Sequence, residues 1–153
     1  MISENLVTII TQLALAVFLG SLIGLERELK KKEAGLQTYS LVSLGSCVFT
    51  VIAFNLFYFF LDQANVSFDP SRIIHAVAVG IGFIGAGVIF RQNSGTVGLT
   101  TAAGLWVAAS LGVAVGSGFY LLASVATVLT LAVLIGFGLI EKKVFNKAST
   151  DRD

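Results

Sequence analysis

Glu26, Arg27 and Glu28 stand side by side where an apolar run ends, and they are the densest alternation of charge in the chain. A guanidinium flanked by two carboxylates can lock one helix end to another through charge-assisted hydrogen bonds, with Arg91 as a further cation from a later connection. It can equally bind a charged group on a partner. Left among water and lipid headgroups, the same trio is only an interfacial cluster. Thr100 and Thr101 follow Gly98 at the start of another apolar run. Their hydroxyls can cap backbone, satisfy their own helix or line a polar crevice. Trp106 lies inside that run and not at its ends, so it is no simple belt residue, and its indole N–H needs a partner in dry surroundings. Helix packing is the plainer account of it. These residues are the candidate functional or partner-binding set.

The rest of the reactive inventory is thin. The one cysteine, Cys47, cannot make an internal disulfide or a zinc site and reads as a small packing residue. No nucleophile–base pair, metal cluster or phosphate loop is visible, so no catalytic residue, metal ligand or cofactor is assigned and no enzyme is expected. A net charge of +1 supplies no field to recruit nucleic acid. Asn55, with Ser43, Ser46 and Thr50, makes one apolar run modestly polar and can bond across helices for about 1 kcal/mol. His75 reads as an interfacial histidine, with a pH sensor as the alternative. Lys30, Lys31 and Lys32 read as an orientation signal in contact with anionic lipid.

Something must position these groups, and composition says what. Of 153 residues, 56% are hydrophobic and 12% charged, with a mean hydropathy of +0.89. A soluble domain of this size needs more polar surface than that, so the bilayer is the solvent. A hydrocarbon core about 30 Å thick asks for roughly 20 apolar residues per helix. Leu6 to Leu25, Tyr39 to Leu61, Ile73 to Phe90, Val97 to about Gly116, and Phe119 to Ile140 meet or approach that length. The runs are too long for barrel strands and do not alternate, which leaves helices as the spanning element. The expected fold is all-α: an integral membrane bundle of about five transmembrane helices over residues 1–141, followed by a short basic tail over 142–153. The first run lacks a basic region before it and a small-residue cleavage site after it, so it is expected to be retained.

Charge orients the bundle. With five crossings, Arg27, Lys30, Lys31, Lys32, Arg91, Lys142, Lys143, Lys147 and Arg152 fall on one face, and Arg72 alone falls on the other. The positive-inside rule then places the N-terminus outside and the tail in the cytoplasm. Between helices in lipid, close approach through small residues supplies the attraction that hydrophobicity does not. Thr100, Gly104, Ala108, Gly112 and Gly116 recur every four residues, as do Ala78, Gly82 and Ala86, and Ala16, Gly20 and Gly24. Gly82, Gly85, Gly87, Gly104 and Gly112 are therefore expected at packed interfaces, although a moving or pore-lining seam would need the same pattern. Glycine is denser across Gly80, Gly82, Gly85 and Gly87 than packing alone requires.

Three stretches in order resemble the MgtC/SapB family of bacterial inner-membrane proteins. They are Gly24-Leu25-Glu26-Arg27-Glu28; Gly80-Ile81-Gly82-Phe83-Ile84-Gly85-Ala86-Gly87-Val88-Ile89, preceded by Asp69-Pro70-Ser71-Arg72-Ile73; and Gly98-Leu99-Thr100-Thr101-Ala102-Ala103, followed by Trp106. Two departures stand out. Where the family often reads Gly-Leu-Arg-Thr-His, this chain has Gly35-Leu36-Gln37-Thr38-Tyr39 and lacks a cation, and Ala76 replaces a common glutamine. Some members also carry a cytoplasmic domain resembling an ACT fold, for which the expectation here is only the short tail.

The resemblance implies a role in low-magnesium growth and, in some pathogens, in survival within macrophages. It implies a regulator that binds other membrane proteins, the ATP synthase among them, although magnesium transport is the family's older label. The expected partners are the lipid bilayer and other membrane proteins, with a homo-oligomer left open. A small Mg²⁺ permease is the competing reading. Magnesium dehydrates reluctantly and favours carboxylate oxygens, yet no Asp or Glu falls in any expected span interior; Glu26, Glu141, Asp62 and Asp69 all lie at ends or in connections. Rings of hydroxyls or carbonyls in an oligomer could still coordinate a hydrated ion.

Overall fold

A computed structural model describes residues 6–61, 68–92 and 95–150, with side chains described to residue 140. The five apolar runs become helices α1 (Leu6–Leu29), α2 (Leu36–Phe60), α3 (Ser71–Val88), α4 (Leu99–Gly116) and α5 (Tyr120–Thr150). Each contains a window long and apolar enough to cross a membrane. Within hydrocarbon a helix satisfies all its backbone groups internally, which is why such runs take no other form. Asp62 and residues 151–153 lie outside the described residues, as do the side chains of Glu141, Lys142, Lys143 and Lys147. The backbone of α5 continues into the expected tail.

The helix ends show how the chain reverses. Lys32 N–H donates to Arg27 O at 3.1 Å and Lys31 N–H to Glu28 O at 2.9 Å, and Lys31 takes the left-handed conformation at φ 51°. Those bonds close α1 with a Schellman motif, here with a lysine in the position glycine usually holds. At the end of α4 the same pair of bonds runs from Phe119 N–H to Ala114 O and from Gly118 N–H to Val115 O, with Gly118 at φ 82°. A three-residue separation of the last two helices, Ser117 to Phe119, is thereby enough. The third connection is an antiparallel hairpin of β1 (Phe90–Gln92) and β2 (Gly95–Val97). Gly98, at φ 90°, leads from it into α4, where any Cβ would collide with the carbonyl of Val88.

α2 packs most extensively, against α1 on one side and α4 on the other; α3 lies mainly against α4, and α5 against α4 and α1. Small residues set this arrangement. A Cβ on Gly20 would lie 2.7 Å from Tyr39 O, one on Gly24 2.8 Å from Leu36 Cα, and one on Gly116 2.8 Å from Thr50 Cβ. Gly112 abuts the Ser43 carbonyl and Gly104 the Tyr39 hydroxyl. α2 is thus clasped by a glycine seam from each side.

α3 departs from the expected packing. A Cβ on Gly85 would meet Ala102 at 3.6 Å, an ordinary contact, but Gly82 and Gly87 face open space, and Ala78 and Ala86 are exposed with them. The reason is rotational. α3 seats on α4 through Ile81 and Gly85, and Gly82 lies about 100° around the helix from Ile81.

Candidate functional site

Glu26, Arg27 and Thr101 meet where α1 ends and α2 and α4 begin. Arg27 is 3% exposed and Thr101 1%. The Arg27 Nη2 group donates to Thr101 Oγ1 at 3.0 Å, and that hydroxyl donates in turn to Glu33 Oε2 at 2.5 Å. Tyr39, fully buried, donates its phenol proton to the Thr101 carbonyl at 3.1 Å. Its ring lies against Gly104, where a Cβ would come within 3.2 Å of Cε1. The absence of a side chain on α4 is what admits the ring.

Glu26 is held by charge. Lys30 Nζ lies 2.5 Å from its Oε1 and Arg27 Nη1 lies 3.7 Å from its Oε2, but neither oxygen is in hydrogen-bond geometry. The short distance, more than the angle, decides that Glu26 and Lys30 are paired at this burial. Lys30 also donates to Leu134 O of α5 at 2.9 Å, and Gly138 on the next turn gives its head room. Glu28 turns outward from this group and accepts the Leu36 N–H at 3.1 Å, which satisfies an orphan donor at the start of α2. Four helices and their first connection therefore converge on one charged cluster.

The electrostatics are closed within the cluster. The Thr101 hydroxyl, followed by Glu33's own backbone and then the nearby Lys32 and Arg27 charges, holds the Glu33 carboxyl below the usual range against a smaller opposing effect of burial. Lys30 and Arg27 already neutralise Glu26, so its oxygens are poorly placed to cradle a further cation. Arg27 Nε remains buried without a partner. Deeper in the bundle, Gln12 Nε2 lies 3.5 Å from Val115 O, while Gln12 Oε1 and Ser43 Oγ are buried and unpaired.

Of the residues singled out from sequence, Glu26, Arg27 and Thr101 come together, while Glu28, next in the chain, turns to the start of α2. The others do not join. Arg91 is exposed on β1 opposite Thr96, and among the described residues no ion pair links it to Glu26 or Glu28. Thr100 points outward. Trp106 is 54% exposed and faces away from the bundle, so helix packing within the chain does not account for it. Tyr39, Glu33 and Lys30 complete the cluster; sequence alone places none of them there and reads Lys30 as an orientation signal. Tyr39 stands in the stretch where a missing cation drew attention, while Glu33 and Lys30 were masked by the run of lysines between them.

The sequence matches the MgtC family over residues 13–143. It is 43% identical over 138 residues to an Escherichia coli K12 protein named "Putative magnesium transporter YhiD", covering 90% of this chain and 64% of that protein. Protein SapB of Bacillus subtilis is 44% identical over 113 residues, 73% of this chain and 49% of its own length. Protein MgtC of Brucella abortus is 41% identical over 121 residues, 79% of this chain and 48% of its own. This chain thus spans between about half and two thirds of the length of these curated relatives. No solved structure gives a significant match. The family match takes in the whole charged cluster and the cores of all five helices.

Proposed function

Because the chain belongs to the MgtC family of multi-pass bacterial membrane proteins, we propose that it is a regulatory or accessory factor in magnesium homeostasis that acts by binding other membrane proteins. Its N-terminus lies outside and its C-terminal end in the cytoplasm of the inner membrane. The observation that carries the reading is the self-neutralised cluster at the basic face. Arg27 and Lys30 offset the charge of Glu26, and Arg27, Thr101 and Glu33 form a hydrogen-bonded chain, while Gly20, Gly104, Gly112 and Gly116 draw α1, α2 and α4 into close contact. That combination favours a rigid scaffold over a conduction path. α3 and α5 leave most of their surfaces uncovered for lipid or protein neighbours.

The name of the Escherichia coli relative favours a Mg²⁺ permease as the second reading. A permease of this chain would conduct through an assembly, with oxygen rings contributed by several copies. Complementation of low-magnesium growth, read beside an immunoblot of membrane fractions, tests the regulatory reading. Glu26→Gln at normal abundance should fail to complement, and full complementation would remove the cluster from the function.

A further inference from the structure

Between α2 and α3 an open groove of about 610 Å³ faces the bilayer. α3 touches α2 far less than it touches α4, and the two walls are kept apart by what they lack. Gly45 on α2 and Gly80 on α3 both line the groove, with Ala76 beside them. A Cβ on either glycine would meet nothing. The rest of the lining is mostly apolar, but Gln37 and Thr38 stand at one end, in the first turn of α2.

Dimensions decide the occupant. From Gln37 to Phe49 the groove follows α2 for about 18 Å at the helical rise per residue. One acyl chain is slender enough, and one leaflet of hydrocarbon is about 15 Å deep. Charge decides the headgroup. Lys31 and Lys32 are exposed in the loop entering α2, and Arg91 is exposed just beyond the end of α3, so both walls open at the same basic face.

We propose that this groove binds one acyl chain of an anionic phospholipid from the leaflet at the basic face. Gln37 and Thr38 meet the glycerol and ester oxygens, and Lys31, Lys32 and Arg91 attract the phosphate. The site is independent of the charged cluster and of what the protein regulates.

The test is native mass spectrometry of the full chain released from vesicles of phosphatidylglycerol or of phosphatidylcholine. Wild type should retain one phosphatidylglycerol per chain and at least about tenfold less phosphatidylcholine, equivalent to about 1.4 kcal/mol. Gly80→Leu and Ala76→Leu fill the groove from its open side and should each reduce retention about tenfold, with an unchanged melting transition as the folding control. Lys31→Ala with Lys32→Ala should abolish the preference while leaving the groove intact. Equal retention of the two lipids by wild type, or undiminished retention in both filled variants, overturns the proposal. So does a dimer that the filled variants dissociate without loss of lipid.

Discussion

The Arg27 guanidinium reaches the Thr101 hydroxyl at 3.0 Å across 74 positions of sequence, and both side chains are almost wholly buried. From the sequence, the cost of removing Arg27 is that of a solvated pair at a helix end, about 1 kcal/mol or less. Burial changes that expectation. Arg27→Ala leaves Glu26 facing Lys30 alone and Thr101 without its donor, for a cost of about 3 kcal/mol. Thermal melts in detergent should place Arg27→Ala well below wild type, with Thr101→Val between them. A melt of Arg27→Ala equal to wild type would mean that the cluster is hydrated in solution.

Glycine substitutions should divide by seam. Gly112→Ala and Gly104→Ala thrust a methyl group at the Ser43 carbonyl and the Tyr39 hydroxyl, for about 1–3 kcal/mol each. Gly82, which the every-four-residue pattern equally nominates, should accept Ala and even Leu, because nothing stands within 4 Å of its Cβ. Yields and melting temperatures of the four variants give the comparison. Severe loss in Gly82→Leu would mean that a second chain covers α3.

Acid should loosen the same cluster from its exposed side. The Thr101 hydroxyl, as the leading cause, holds the Glu33 carboxyl below its ordinary range. A depressed folded value adds stability that is fully present above the ordinary glutamate pKa and is lost as pH falls through the folded one. At neutral pH, Glu33→Gln should therefore melt below wild type, and the gap should close as the buffer is acidified toward and below the ordinary glutamate range. A gap that persists at acid pH would show that Glu33 acts through something other than its charge. Because Glu33 is largely exposed, the effect is small and falls with salt.

Lys30 gives a prediction about dynamics. Its bridge from Glu26 to Leu134 O is a polar tie between α1 and α5. Lys30→Met should raise hydrogen exchange in α5 around Leu134 and Gly138, while exchange in α2 and α4 stays near wild type. Uniform loosening of all helices would instead make Lys30 a determinant of the whole bundle.

Much of this was legible in the chain. Five helices follow from the length of the apolar runs, and the seams of α1 and α4 follow from glycines four residues apart. What the period could not supply was rotation. Gly82 and Gly104 carry the same local pattern, yet the one faces outward and the other receives Tyr39, because only the three-dimensional pairing of helices decides which stripe is met. The site was half visible for a related reason. Glu26 and Arg27 announce themselves as charges against an apolar background, whereas Glu33 and Lys30 sit among other charges, and Tyr39 matters only because Gly104 lies opposite it. Thr101 and Thr100 are adjacent in sequence, and a turn of about 100° separates the buried hydroxyl from the exposed one.

The proposed role is that of a binding scaffold and not of a Mg²⁺ conduit. Purified protein reconstituted in liposomes that enclose a Mg²⁺-sensitive dye tests it most directly. Influx should match that of protein-free vesicles at every protein-to-lipid ratio, including ratios high enough to permit assembly. Influx that rises in proportion to the protein added, and that Glu26→Gln or Thr101→Val alters, would contradict it.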